Sequence, residues 1–218
     1  MATTKEIINS VITIILVVCA IIIGGLSIHQ EFFSKENIFS GLRYVNDWEN
    51  ISIDTHQEGT ENATVKIFKF YDYQCPFCKD LDYVLKQLSK KYSDDIKIQY
   101  IHYPLSIHQY AYKAAIVAEC SRSENQFMQI HDFLFEYQAE ISLISMEDIA
   151  DDFELSQKEK FLSCVENEFT SNVVNESIAL SEELNITRIP TMVINGWVIE
   201  GAAPLEYLDQ LVNNLIEN

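Results

Sequence analysis

Cys75-Pro76-Phe77-Cys78 is the stretch whose residue types and spacing can do chemistry. Two thiols three residues apart at the start of a helix can close a disulfide within one turn. The first of them sits where unpaired backbone N–H groups and the helix dipole favour an anion. The pair therefore reads as a redox site. Pro76 falls at the first helical position, where its missing N–H costs nothing and its fixed φ suits the helix. Phe77, Leu81, Val84, Leu88 and Tyr92 recur at helical spacing, with Lys79, Asp80, Asp82 and Lys86 on the other side.

The elements that must position this pair follow from the pattern. Val65 to Tyr71 is apolar at nearly every position, as a central strand buried on both faces should be. Ile96, Ile98 and Tyr100 alternate with Lys97 and Gln99, giving a second strand that ends near His102-Tyr103-Pro104. A long, mostly helical stretch follows. Ala111, Ala114, Ala115 and Ala118 mark a closely packed helix ending near Cys120, and Ser123-Glu124-Asn125-Gln126 reads as a capping box for the next, which carries Phe127, Ile130, Leu134 and Tyr137 on one face. The same signature recurs at Ser145-Met146-Glu147-Asp148 and Ser156-Gln157-Lys158-Glu159. Thr191 to Ile194 and Trp197 to Glu200 flank Asn195-Gly196, a strong two-residue hairpin turn. A last helix packs through Leu205, Leu208, Leu211, Val212 and Leu215.

With Arg188-Ile189-Pro190-Thr191 standing before the last two strands, the chain from Gly59 onward resembles the DsbA family of thiol:disulfide oxidoreductases. The resemblance implies an α/β thioredoxin fold over residues 61–218 with a helical insertion at about 105–186. It implies that Cys75 is the exposed nucleophile, Cys78 the buried resolving thiol, and Pro190 a cis-proline whose loop, with Ile189 and Thr191, pairs with an extended substrate. It also implies that Cys120 and Cys164 form a structural disulfide, against the alternative of two separately buried free thiols. Two positions depart from the family pattern. Phe77 stands where strongly oxidising relatives have histidine and has no hydrogen bond to give a thiolate. Lys69 stands where many relatives carry an acid; it either favours the Cys75 thiolate or projects from the strand end into water. Asp72, three residues before Cys75, reads as an ordinary strand-end carboxylate that can bear on the ionisation of Cys75.

Composition narrows the rest. The chain has 218 residues, 48% of them hydrophobic and 11% aromatic, enough for one substantial domain with a core. Its formal charge of −18 would repel phosphate backbones, which disfavours nucleic-acid binding. Of the five cysteines, Cys19 lies in the apolar leader, leaving an even number in the folded part. His102, His108 and His131 make no metal spacing with the cysteine pair, and His131 reads as core; no metal or other cofactor is expected.

Residues 1–6 form a short tail. From 7 to 28 no charge occurs, long enough for a transmembrane anchor, with a cleaved signal sequence and a lipoprotein at Cys19 as alternatives. Residues 29–60 read as a spacer, with Ile51-Ser52-Ile53 as a brief edge strand. Lysines and arginines do not fix the orientation, so the chemistry places the domain outside the cytoplasm, in the periplasm or at the cell exterior. The expectation is a monomeric, membrane-anchored oxidase acting on cysteine-containing secreted or envelope proteins and recharged by a DsbB-like or VKOR-like membrane partner. A reductase or isomerase on the same fold, and a non-enzymatic tethered peptide-binding or chaperone module, are the rivals.

Overall fold

In the computed structural model, the described residues are 13–25, 38–166 and 168–217. They fall into two units, residues 1–41 and 42–218. In the first, residues 13–25 are helical (α1) and expose Ile14, Leu16, Ile21 and Ile23. No helix among the described residues is long and apolar enough to cross a membrane. The anchor expected over residues 7–28 lies in part outside the described residues.

The second unit is built on a five-stranded sheet of order β1-β3-β2-β4-β5, with β1 Gln57–Gly59, β2 Val65–Tyr71, β3 Ile96–His102, β4 Thr191–Ile194 and β5 Trp197–Glu200. β2 and β3 run parallel and are joined by α2 (Pro76–Lys91); the other pairs are antiparallel. β2 is central and almost wholly buried, which explains its apolar run. Asn195 and Gly196, with φ of 43° and 88°, make the primed turn of the last hairpin. Asn195 also links back to β2, accepting from Lys66 N–H at 2.8 Å.

Between β3 and β4 the described residues form five α-helices: α3 Ala111–Cys120, α4 Phe127–Glu136, α5 Met146–Asp152, α6 Lys158–Glu166 and α7 Glu168–Glu183. α3 packs on α4, α6 and α7. A disulfide joins Cys120 at the end of α3 to Cys164 in α6, with the Cα atoms 5.8 Å apart. The terminal α8, Leu205–Glu217, packs on α2 and β2, and Lys91 and Tyr92 at the end of α2 both reach Asp209.

Three expectations require correction. The edge strand is Gln57–Gly59, antiparallel to β3, and not Ile51–Ile53. Ile51 and Ile53 instead pack against a core cluster of Val45, Phe68, Phe70 and Val198. Tyr44 bridges Trp197, so residues 42–60, read as a spacer, are part of the folded unit. The capping box at Ser123 does not form: Ser121–Glu124 is a 3-10 turn running directly from α3, and Ser123 Oγ donates to Cys120 O. Glu124 instead caps at a distance, accepting from Ser156 Oγ at 2.7 Å and from Gln157 N–H at 3.2 Å ahead of α6. Only Ser145 caps as expected, accepting from Asp148 N–H.

Candidate active site

β2 ends at Tyr71, and the chain turns through Asp72, Tyr73 and Gln74 into Cys75, the N-cap of α2. Pro76 opens the helix and Phe77 is 64% exposed, but Cys75, expected to be exposed, is itself buried at 6% exposure, and Cys78 is buried completely. The Cys78 thiol is hydrogen-bonded to Cys75, and the backbone N–H groups of Cys78 and Phe77 also face the Cys75 sulfur. Together they overcome burial and the nearby Asp72 charge, lowering the Cys75 pKa from 9.0 to about 7. Burial pushes the Cys78 thiol far up, and its bond to Cys75 adds to this. One thiol is thus poised near neutrality while the other stays protonated. That is the asymmetry a nucleophile and a resolving group require.

The turn is held from two sides by the helical insertion. Asp72 is 1% exposed, and its carboxylate accepts from Gln74 N–H at 2.6 Å, Leu105 N–H at 2.8 Å and His108 Nδ1 at 2.7 Å. Tyr110 N–H donates to Gln74 Oε1 at 2.6 Å. On the other side Gln138 Nε2 donates to the carbonyls of Tyr73 at 2.6 Å and Cys75 at 3.0 Å. Asp72 is therefore more than the ordinary strand-end carboxylate expected, and Gln74, His108 and Gln138 were missed. Nothing in their local spacing marks them, because their partners are 36 to 65 residues away.

Ile189–Pro190 is a cis peptide bond. Phe70 of β2 pairs with Thr191, so Pro190 stands beside the end of β2 from which the redox turn departs. Pro190 is buried and Ile189 partly exposed; Pro190 O accepts from Gly201 N–H at 2.7 Å.

Lys69 follows neither reading made of it. It is fully buried beneath the helix and ion-paired with Asp82, one turn beyond Cys78 on the buried face of α2. The rings of Tyr71, Tyr100 and Phe135 surround its ammonium at 4.7, 5.0 and 5.2 Å. Its charge bears on Cys78, the buried thiol of the pair. His131 closes the cluster, with Nε2 2.9 Å from Asp82 and Nδ1 2.7 Å from the Tyr73 hydroxyl, which lies 3.1 Å from that of Tyr71. Burial first, and the Lys69 charge second, lower the His131 pKa to about 3, so the ring is neutral: it gives Nε2–H to Asp82 and accepts Tyr73 O–H at Nδ1. For Asp82, burial opposes ionisation, but the charge of Lys69 and the His131 bond outweigh it and hold the carboxyl well below its usual range. Asp82, His131 and Asp132 bring potential metal-ligating atoms within 4.8 Å of one another. Their carboxylates are taken by lysines, Lys69 and Lys86 on Asp82 and Lys86 on Asp132 at 2.7 Å, so the cluster balances its charge without a cation.

A family model described as thioredoxin matches residues 52–214. The chain belongs to the thioredoxin family. Among curated relatives, a Na(+)/H(+) antiporter NhaA 3 of Salinispora tropica is 23% identical over 72% of this chain, which spans only 24% of that protein's length. The disulfide bond formation protein D of Bacillus subtilis is 22% identical over 71% of this chain and 73% of its own. Among solved structures, alpha-DsbA1 of Wolbachia pipientis superposes with a TM-score of 0.65 at 17% identity, covering 77% of this chain and 93% of that one. At that identity the likeness establishes the fold, a thioredoxin core with its helices inserted before the cis-proline.

Proposed function

We propose that this chain is a thiol:disulfide oxidoreductase that exchanges disulfides with cysteine-containing polypeptides through Cys75 and Cys78, and that it acts as an oxidase outside the cytoplasm. The observation that carries the reading is the placement of the two thiols at one helix start, Cys75 as the N-cap of α2 and Cys78 buried in its first turn; the lowering of Cys75 to about 7 and the raising of Cys78 agree with it. Similarity to a disulfide bond formation protein agrees with it.

In the oxidised form a substrate thiolate attacks Cys75 Sγ; the Cys75–Cys78 bond breaks and Cys78 leaves, taking up a proton. A second substrate thiolate then attacks the substrate sulfur of the mixed disulfide. Cys75 departs as a thiolate, stabilised where it forms by the N–H groups of the helix start. Two electrons have passed to the protein, and a DsbB-like or VKOR-like membrane partner would remove them. Ile189, Pro190 and Thr191 would lay the substrate backbone beside Cys75. The Cys120–Cys164 disulfide supports an oxidising compartment. The uncharged run over residues 7–28 supports a membrane anchor.

The test is to replace Cys78 with Ser, which leaves Cys75 unable to resolve its mixed disulfides. Polypeptides linked through Cys75 should then accumulate in cells and be released by reductant. A non-enzymatic peptide-binding module would accumulate none, and its binding would survive Cys75→Ser.

A further inference from the structure

Asp72 touches both halves of the redox pair. Its carbonyl accepts from Cys75 N–H at 3.2 Å, and its own backbone N–H is directed at Cys78. Its carboxylate, wholly enclosed, is a negative charge three residues from the nucleophile. Among the described residues the one side chain that hydrogen-bonds it is His108, 22% exposed, with Nδ1 2.7 Å from Oδ2. The contrast with Asp82 is instructive, since that carboxylate is neutralised by two lysines. Holding the turn to the insertion needs only acceptors for Gln74, Leu105 and His108, which an uncharged amide would supply in part. A carboxylate adds a charge, and the charge works against the Cys75 thiolate.

We propose that Asp72 and His108 are a positioning pair that sets the balance between thiol and disulfide at Cys75, the carboxylate biasing the couple toward the disulfide and His108 drawing that charge away. The inference rests on the reading of Cys75 and Cys78 as a redox couple. It makes His108, a residue of the helical insertion, a regulator of the thioredoxin core's chemistry. Of the insertion's hydrogen bonds to the turn, the one from His108 comes from a ring that solvent also touches.

Because the two partners have opposite effects, their removal should move the couple in opposite directions. Asp72→Asn removes the charge, so at pH 8 the reduced form should gain about threefold to tenfold against glutathione, about 15 to 30 mV more oxidising. His108→Leu leaves the carboxylate without that hydrogen bond, so the reduced form should lose by a smaller factor and the alkylation midpoint of Cys75 should rise. In the double variant the His108 effect should vanish, because the charge it balances is gone. A merely structural staple behaves otherwise: loosening the turn from either end would shift both single variants the same way. If wild type exchanges with glutathione while the variants shift together, or not at all, this inference is overturned and the reading of the site stands. If wild type does not exchange, the reading of the site falls and the inference with it.

Discussion

At neutral pH about half of Cys75 is thiolate, since its pKa lies at about 7, while Cys78 remains protonated. The folded pKa is depressed, so the thiolate's contribution to the reduced protein is complete above the ordinary thiol value and is lost as pH falls through about 7. Iodoacetamide should therefore modify one cysteine of the reduced pair, Cys75, with a rate that rises through a midpoint near pH 7. A midpoint at the ordinary thiol value would mean that the helix start does not hold the anion. Lys69 gives a second expectation. Lys69→Met leaves Asp82 buried with its closest cation gone and should cost about 3–5 kcal/mol in denaturant unfolding, whereas Lys69→Met with Asp82→Leu should recover much of that loss. Equal losses in both variants would mean that packing around the rings, and not charge, holds the cluster. The cysteine pair is legible because its chemistry is local. Lys69 was misplaced because a lysine in a strand is normally read as a solvent-facing group, and its partners on α2 and α4 are visible only after folding.

The elements were legible to the extent that their signals are periodic. β2, α2, β3 and the closing hairpin lie where hydrophobic alternation and the Asn195-Gly196 turn put them. The three-residue edge strand is too short for any alternation, and what fixes its end is a backbone approach: a Cβ on Gly59, at φ +108°, would stand 2.2 Å from Ile96 O. Caps were legible only when local. Ser145 holds its own helix, whereas α6 is capped by Glu124 from 32 residues away, which no window of sequence reveals. The Cys120–Cys164 disulfide ties α3 to α6 across 44 positions. In the chain-entropy account, replacing both with Ala should cost about 4 kcal/mol, read as a lower denaturation midpoint, while the glutathione equilibrium of Cys75 and Cys78 stays in place. A shift of that equilibrium would show that the second disulfide bears on the first.

For the whole molecule, the thioredoxin core could be read from the order of strands and helices, but the start of the folded unit could not. Residues 42–60 look polar and irregular, yet they supply Val45 to the core, the bridge from Tyr44 to Trp197 and the first strand of the sheet. The core carries a neutral His131, its pKa lowered to about 3, and this has a consequence for the entire fold. A histidine kept neutral on folding costs stability as pH falls below about 6.5, because the unfolded chain takes up the proton that the folded one refuses. By pH 5 the cost from His131 should approach about 2 kcal/mol, and His131→Phe should lessen the dependence of unfolding free energy on pH between 7 and 5, leaving the part due to His56, itself lowered to about 4. An unchanged slope would assign acid sensitivity to other groups.

Whether Cys75 and Cys78 form an exchangeable redox couple is decided by their equilibrium with a glutathione series, with Cys120 and Cys164 followed separately by mass. An exchangeable couple gives a two-electron transition at a potential between about −270 and −120 mV, the span of thioredoxin-like exchangers, with the oxidising end favouring the oxidase reading. A potential below about −300 mV, where structural disulfides lie, would contradict it.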